Sequence, residues 1–188
     1  MTDAPSRLFT IGHSTRPLEE LVDLLRAFGI RRLVDVRRYP GSRRYPHFSR
    51  DVLQPALAAA GIGYVHEPDL GGRRDPVPGS PNAAWRSAAF RGYADHMATP
   101  AFAAALGRVV DGASEPQALM CAEAVPWRCH RQLIADALVV SGLEVQHILS
   151  PSRTETHALR VEARVTAEGH LVYEACGRTG SLFMDPED

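Results

Sequence analysis

The sequence has 188 residues, of which 45% are hydrophobic and 23% are charged. This composition fits one folded domain and excludes a chain that is disordered throughout. Because no apolar run reaches about 18 residues and the N-terminus lacks the layout of a signal peptide, we expect a cytoplasmic protein that does not bind membranes. The three cysteines are an odd number, which favours reduced thiols over a disulfide framework.

The formal net charge is -1, but charge is unevenly distributed along the chain. Residues 1–94 contain 14 arginines and 9 acidic residues, whereas residues 95–188 contain 7 arginines and 13 acidic residues. All 21 basic residues are arginine. Guanidinium groups bind carboxylates and phosphates but do not act as amine nucleophiles, so Schiff-base chemistry through lysine is excluded.

Up to residue 83 the chain alternates short apolar runs with amphipathic segments. The apolar runs at 8–12, 33–36 and 62–65 are typical of buried strands. Helical spacing of apolar residues predicts one helix from Pro17 to Gly29 and a second between Ser49 and Gly61. Residues 67–83 are rich in Gly, Pro, Arg and Asp, which predicts a long loop of the kind that is often functional.

The second half of the chain continues this alternation. Patterns predict helices at 84–97, 101–110 and 127–140, strands at 118–121 and 145–149, and a β-hairpin at 161–173. Together they predict an α/β fold, a single domain of three layers with a mainly parallel sheet and a C-terminal β-hairpin. Its core would span about residues 8–173, and we expect a flexible tail at 174–188.

Polar residues collect where the predicted strands end. Ligands of such sheets bind in the crevice beyond the carboxyl ends of the strands. The first, second and fourth strands run into polar segments at 12–15, 35–40 and 121–123, and the helix after the fourth strand opens with 126–131. The pattern therefore predicts one polar cleft built from three strand ends.

The segment CAEAVPWRCHR at 121–131 holds the candidate reactive groups. A cysteine at a strand end, opposite a helix N-terminus, is well placed to become a thiolate beside an anion. We therefore select Cys121 and Cys129 as candidate nucleophiles and Arg131 as an anion ligand, with proton transfer assigned to Glu123, His13 or His130. The interval from Cys121 to Arg128 is too long for a phosphatase or rhodanese loop. The alternative is that both cysteines are core residues.

The same cysteines and histidines allow a metal alternative. No pair has the two-to-four-residue spacing of structural zinc sites, and neighbouring Cys129 and His130 would point in different directions on a helix. We therefore assign no metal ligands, although a site assembled from separate strand ends stays an alternative. The sequence identifies no cofactor.

The segment DVRRYPGSRRYPHFSR at 35–50 combines five arginines with aromatic residues. Arginines interleaved with aromatics are typical of surfaces that follow phosphates and stack on bases, so we expect Arg37 to bind an anionic ligand. Two alternatives stay open. The arginines could be solvated and pair with the acidic half of the chain, and Asp35 could hold Arg37 in a bidentate pair.

Four further residues are candidate ligand contacts. Ser14 follows Gly12 and His13 at the end of the first strand, where it could bind a ligand or only cap a helix. Gly71 and Gly72 would let the backbone approach a ligand closely, or would simply form a turn. Tyr93 could donate a hydrogen bond in the cleft, although a helical tyrosine is more often a core residue.

With these residues in view, the chain resembles a bacterial and archaeal family catalogued as domain of unknown function 488. The matching segments are TIGHST (10–15), VDVRRYPGSRRYPHF (34–48), LGG (70–72), YADHM (93–97), LMCAEAVPWRCHRQLIADAL (119–138) and VQHI (145–148). The resemblance covers about residues 8–173 and implies a single-domain α/β protein with no agreed reaction. The polar signatures of the family map to His13, Ser14, Asp35, Arg37, Pro40, Gly71, Gly72, Tyr93, Cys121, Glu123, Pro126, Cys129, His130 and Arg131.

The leading hypothesis is an enzyme, a hydrolase or a transferase, acting on a phosphorylated ligand such as a nucleotide or a nucleic-acid end. The catalytic candidates are Cys121, Glu123, His13, Cys129 and His130, and the ligand-binding candidates are Ser14, Asp35, Arg37, Gly71, Gly72, Tyr93 and Arg131. The expected partner is an anionic small molecule or a nucleic acid. The alternatives are a non-catalytic nucleic-acid-binding module and a metal or thiol redox protein.

Overall fold

The computed structural model describes residues 7–41 and 43–175, which form a sheet flanked by helices. The strands in this part of the chain are β1 (Arg7–Gly12), β2 (Arg32–Asp35), β3 (Gly63–His66), β4 (Gln117–Cys121), β5 (Glu144–Ser150), β6 (Arg153–Thr156), β7 (Ala163–Val165) and β8 (Leu171–Tyr173). The α-helices are α1 (Leu18–Ala27), α2 (Arg50–Ala59), α3 (Ala88–Met97), α4 (Pro100–Asp111) and α5 (Arg131–Val140).

The main sheet has six strands in the order β3-β2-β4-β1-β5-β6. The first five are parallel to one another, and β6 pairs with β5 in the antiparallel sense. Strands β7 and β8 form a separate antiparallel hairpin near the C-terminal end of the described chain. The predicted mainly parallel α/β fold with a C-terminal hairpin is therefore confirmed.

Apolar side chains alternate between the two faces of the sheet and build a core on each face. On β4, for example, Leu119 packs with the cluster of buried residues that includes α3, α4 and α5, while Met120 packs with the cluster that includes α1 and α2. Because successive side chains of a strand point to opposite faces, buried strands need an apolar cover on both sides. The helices supply that cover, which gives the predicted three layers.

The strand order places a topological switch point between β1 and β4. From β1 the chain passes through α1 to β2 on one side, whereas from β4 it passes through α5 to β5 on the other side. Beyond the ends of both strands the pairing continues, since the N–H of His13 donates to the carbonyl of Cys121 at 2.9 Å. A crevice at such a point is the usual ligand site of an open α/β sheet.

The segment between β4 and α5 differs from the prediction. We expected a helix over 127–140, but Pro126–Arg128 form a short 3-10 turn and α5 begins only at Arg131. Between them Cys129 adopts an extended conformation, with φ -129° and ψ 146°. The proline favours the first turn of a helix without specifying how far that helix extends, so the interruption was not visible in the sequence.

Strand β6 was also absent from the prediction. Its sequence, Arg-Thr-Glu-Thr, is exposed along its whole length and has no apolar face. An edge strand of this kind is held by backbone pairing with β5 rather than by burial, so hydrophobic periodicity does not reveal it. The predicted helix at 84–97 likewise begins later, at Ala88.

Two further expectations concern the membrane and the C-terminal end of the chain. No helix in the described ranges is long and apolar enough to cross a membrane. The expected flexible tail at 174–188 lies, apart from Glu174 and Ala175, outside the described residues.

Candidate functional site

A cavity of about 560 Å³ opens at the carboxyl ends of β1, β2 and β4, where the sequence predicted a polar cleft. Seven of the predicted site residues line it: His13, Ser14, Arg37, Gly72, Cys121, Glu123 and His130. The other lining residues are Thr15, Arg38, Tyr39, Gly41, Tyr45, Arg73, Ala122 and Ala124. The expectation that ligands bind beyond the carboxyl ends of the strands therefore located the cavity, and no single diagnostic motif was needed.

Two cysteines and a histidine meet at the base of this cavity. Nδ1 of His130 lies 3.9 Å from Sγ of Cys121 and 3.7 Å from Sγ of Cys129, and the three atoms all lie within 4.8 Å of one another. The sequence predicted that Cys129 and His130 would point in different directions, as neighbouring residues on a helix do. This prediction is wrong because Cys129 has an extended backbone, which turns both side chains to the same point. These three residues could hold a metal ion.

Hydrogen bonding fixes the orientation of the His130 ring. Nε2 lies 3.2 Å from the carbonyl oxygen of Val36, and because a carbonyl only accepts, Nε2 carries a proton. The other ring nitrogen, Nδ1, points at the two sulfurs. On the flanks, the Tyr93 ring packs against His130 with centroids 5.0 Å apart, and a Cβ on Gly72 would lie 2.9 Å from Nδ1.

The two sulfurs differ in their surroundings. Sγ of Cys129 accepts hydrogen bonds from the backbone N–H and from Nε of Arg131, at 3.5 and 3.4 Å. Burial raises the pKa of Cys129, but hydrogen bonds with Cys121 and His130 outweigh burial and bring the pKa well below its ordinary value. The hydrogen bond with Cys129, together with burial, raises the pKa of Cys121 well above its ordinary value. Cys129 is therefore the favoured thiolate, while Cys121 faces the cavity.

Arg131 is buried behind the two cysteines, with 1% of its surface exposed. Besides the sulfur of Cys129, its guanidinium donates to the hydroxyl of Thr10 at 3.2 Å and to the carbonyl of Glu123 at 2.6 Å. Gly12 permits this approach, since a Cβ there would lie 1.8 Å from the Glu123 carbonyl oxygen. Arg131 therefore ties β1 to the loop after β4.

A buried network continues from Arg131 toward the C-terminal hairpin. The hydroxyl of Thr10 lies 2.7 Å from Nδ1 of His147, whose Nε2 lies 3.0 Å from Nδ1 of His157. Nε2 of His157 donates to the carboxylate of Asp136 at 2.9 Å. Burial, followed by the charge on His157, lowers the pKa of His147 to about 3, so its ring is neutral near pH 7. Nothing in the sequence indicated this network, because its members come from separate elements.

At the end of β2, Asp35 holds Arg37 in the bidentate pair that the sequence allowed. Nε of Arg37 donates to one carboxylate oxygen at 2.8 Å and a terminal nitrogen donates to the other, while Tyr64 donates to Asp35 at 2.7 Å. The second terminal nitrogen of Arg37 lies 3.3 Å from Nε2 of His13. Burial and the charge of Arg37 lower the pKa of His13 to about 4, so this ring accepts the hydrogen bond in its neutral form.

The cavity wall is rich in positive charge. Three arginines line it, Arg37, Arg38 and Arg73, against a single acidic side chain, that of Glu123. Two of its residues also have backbone strain, because Ser14 (φ 51°) and Arg73 (φ 60°) occupy the left-handed region that glycine favours. Such strain in non-glycine residues is concentrated at functional sites, where the surrounding structure enforces it.

The remaining predicted residues support the cavity from behind. Gly71 packs against the backbone of Arg38, since a Cβ on it would lie 2.6 Å from the Arg38 Cα. Tyr93 is 1% exposed and donates its hydroxyl proton to the carbonyl of Leu70 at 2.7 Å. Direct ligand contact by Gly71, Tyr93 and Arg131 stays a prediction.

Several lining residues were missed although the sequence contained a signal for them. Arg38, Tyr39 and Tyr45 belong to the Arg-rich and aromatic segment at 35–50, of which only Asp35 and Arg37 were chosen as ligand-binding candidates. Arg73 follows the double glycine of the long loop. Arg73 lines the cavity because this loop folds back over the strand ends, and the sequence does not show that path of the chain.

Residues 17–138 match a family model described as "Domain of unknown function DUF488". The match includes Cys121, Cys129 and His130, but it is narrower than the expected 8–173 and does not include His13 or Ser14. Comparison with curated proteins and with solved structures gave no significant match. Since the matched residues make up more than half of the chain, the protein belongs to the DUF488 family, a domain of unknown function.

Proposed function

We propose that this protein is an enzyme, a hydrolase or a transferase, that acts on a phosphorylated ligand such as a nucleotide or a nucleic-acid end. One observation carries the proposal: the arginines line the same cavity as Cys121 and His130, which form a cluster with Cys129. An anion-binding wall beside reactive groups is the arrangement that orients a charged substrate for reaction.

The anion would bind at the arginine wall. The buried pair with Asp35 fixes the Arg37 guanidinium and leaves one terminal nitrogen toward the cavity, where its neighbour is His13. Arg38 and Arg73 are linked by a hydrogen bond from the Arg38 guanidinium to the Arg73 carbonyl at 2.6 Å. Arginine forks match the geometry of phosphate oxygens, and fixed forks lose little entropy on binding.

The reacting groups belong to the same cavity as the arginines. Cys121 and His130 line it directly, and Cys129 lies just behind them. Glu123 lines the same space with an exposed carboxylate, which suits it to accept and return a proton. His13 stays neutral near pH 7 and accepts a hydrogen bond from Arg37, which helps to hold the guanidinium in place.

A second candidate, a non-catalytic nucleic-acid-binding module, is favoured by one specific feature. Tyr39 is 61% exposed, and the Arg38 guanidinium lies 5.6 Å from its ring centroid. Arg44 lies in the same way over Tyr45, at 5.4 Å. Tyr39 is exposed and Tyr45 is half-buried, and aromatic rings with adjacent arginines are suited to stack on bases of a single strand.

Binding and turnover of matched oligonucleotides separate the two candidates. Calorimetry would compare a single-stranded oligonucleotide that carries a 5′-phosphate with its unphosphorylated twin, and inorganic pyrophosphate would serve as the minimal anion. The enzyme proposal predicts tighter binding of the phosphorylated strand, conversion of that strand detected by mass spectrometry, and loss of conversion in Glu123→Gln.

Two pairs of arginine variants test whether the anion binds at the arginine wall, and one pair serves as the matched control. Arg38→Gln with Arg73→Gln should weaken pyrophosphate binding at least tenfold, whereas Arg7→Gln with Arg26→Gln, which removes exposed arginines far from the cavity, should not. Equal affinity for the two strands without conversion would favour the binding module. Failure to bind either strand or pyrophosphate would refute both candidates.

A further inference from the structure

We propose that Cys121, Cys129 and His130 form a zinc site with three protein ligands and a fourth position open to the cavity. Thiolate sulfur and imidazole nitrogen are the donors that Zn²⁺ prefers in proteins. Here Cys121 lies at the end of β4, Cys129 is the extended residue before α5, and His130 is the N-cap of α5. Metal binding of this kind does not depend on the proposed substrate, although the catalytic use of the open position does.

The distances between the donors suit tetrahedral zinc. With ordinary zinc–ligand bond lengths, a sulfur and a nitrogen around one tetrahedral ion lie about 3.5 Å apart, and two sulfurs about 3.8 Å apart. The two sulfur–nitrogen distances here are 3.9 and 3.7 Å, and all three atoms lie within 4.8 Å of one another. Shifts of a few tenths of an ångström in side-chain torsions would complete the geometry.

The groups behind the donors also orient them for a metal. Metal-bound histidines usually donate their second ring N–H to a carbonyl or a carboxylate, and His130 donates Nε2–H to the Val36 carbonyl. The sulfur of Cys129 accepts two N–H bonds from Arg131, whose buried positive charge offsets the charge of a bound thiolate. The site is thus preorganised without the ion.

Three protein ligands leave tetrahedral zinc with one position for water or substrate, which distinguishes catalytic from structural sites. Cys121 and His130 line the cavity, so an open position would face the space that the arginines and Glu123 also line. Zinc-dependent nucleobase deaminases use the same donor types, with a glutamate that is not a ligand as their acid and base. Zinc here would support a hydrolytic reaction, in which Glu123 takes a proton from the attacking water.

The first experiment measures metal binding by the full-length chain. Protein that has been reduced and freed of metal would be titrated with Zn²⁺ against a chromophoric chelator, and the bound metal counted by native mass spectrometry. We expect one Zn²⁺ per chain. Co²⁺ at the same site should give the intense visible absorption of a tetrahedral ion together with a sulfur-to-metal charge-transfer band.

Single variants identify the ligands. Cys121→Ser, Cys129→Ser and His130→Gln should each weaken zinc binding by at least a hundredfold, and the cysteine variants should reduce the charge-transfer band. Cys176→Ser, which changes the cysteine outside the described residues, and His170→Gln on the exposed hairpin are the matched controls. If Cys176→Ser removes the metal, the site has a fourth protein ligand and the open position is refuted.

A further variant tests the geometry without changing any ligand. The Cβ of Gly72→Ala would lie 2.9 Å from Nδ1 of His130 and displace the ring, so zinc affinity should fall about tenfold. Gly107→Ala is its control, because a Cβ at that position would meet nothing within 4 Å beyond its chain neighbours and the backbone of its own helix. This comparison stays informative even if a ligand variant fails to fold.

Azide tests whether the fourth position is open. We expect the spectrum of the Co²⁺ protein to shift when azide is added, and an unchanged spectrum would contradict an open position. Reduced protein that binds no zinc, but loses the Cys121 and Cys129 thiols to oxidised glutathione as a disulfide, would overturn the proposal in favour of a thiol redox site. Zinc binding without binding of pyrophosphate or either oligonucleotide would refute the proposed function and leave the metal site intact.

Discussion

Nε of Arg131 donates a hydrogen bond to Sγ of Cys129 at 3.4 Å, in a part of the protein where both residues are buried. No carboxylate forms an ion pair with Arg131 among the described residues. A buried cation is costly unless a negative group or several acceptors compensate it. The sulfur of Cys129 and the surrounding carbonyls provide that compensation, which links the fold of this segment to the chemistry of the cavity.

Arg131→Lys should destabilise the protein although it keeps the charge. A lysine cannot reproduce the fork that reaches the Cys129 sulfur, the Thr10 hydroxyl and the Glu123 carbonyl, so these groups lose their donors. We expect the free energy of unfolding to fall by roughly 2–4 kcal/mol, as for several buried hydrogen bonds lost together. Urea denaturation measures the change, with the exposed Arg128→Lys as control. Equal stabilities would contradict a central role for this fork.

Stability should fall as the pH is lowered from 7 to 5. The pKa values of His13 and His147 lie at about 4 and about 3 in the folded protein, below the ordinary 6.5. The unfolded chain therefore binds more protons than the folded one in this range, which favours unfolding at acid pH by roughly 2 kcal/mol for each histidine. His147→Gln should lose about 2 kcal/mol less between the two pH values than the wild type. An unchanged loss would contradict a buried, neutral His147.

The pair of Asp35 and Arg37 should behave as one structural unit. Asp35 is fully buried, so Arg37→Gln leaves an uncompensated carboxylate and should lower the free energy of unfolding by about 3–5 kcal/mol. The double variant Asp35→Asn with Arg37→Gln removes both charges and should recover most of this loss. Differential scanning calorimetry of the wild type, Arg37→Gln and the double variant provides the comparison. If the double variant were as unstable as Arg37→Gln, charge would not be the cause.

Gly12→Ala should be far more damaging than an ordinary glycine substitution. Its Cβ would lie 1.8 Å from the carbonyl oxygen of Glu123, which is backbone and cannot simply rotate away. The new contact would separate the end of β1 from the loop after β4, and we expect a loss of at least about 3 kcal/mol. Gly107→Ala, in the open part of α4, should be neutral or slightly stabilising. Chemical denaturation of both variants gives the comparison.

Much of the fold could be predicted because its signals are local. Alternating apolar runs and amphipathic segments located β1 to β5, and the rule on strand ends placed His13, Arg37 and Cys121 at one cavity. The resemblance to the DUF488 family agrees with the family model that matches residues 17–138. Strand β6 was not predicted, since its residues are polar and only its backbone takes part in the sheet.

The meeting of Cys129 with His130 could not be predicted, because it depends on one extended residue between a 3-10 turn and α5. The network of Thr10, His147 and His157 was missed for a related reason. Its members lie on β1, on β5 and after β6, and nothing in the spacing of distant residues indicates that they meet. Tyr93 was a candidate ligand contact, and the sequence did not indicate that its ring packs against His130.

The proposed site requires that the arginines and the sulfurs face the same bound anion, and alkylation of the Cys121 and Cys129 pair tests this most directly. The rate at which iodoacetamide modifies these two thiols in reduced, metal-free protein would be followed by mass spectrometry with and without pyrophosphate. We predict that pyrophosphate slows the modification several-fold in the wild type but not in Arg38→Gln with Arg73→Gln. An unchanged rate in wild-type protein that demonstrably binds pyrophosphate would contradict a shared site.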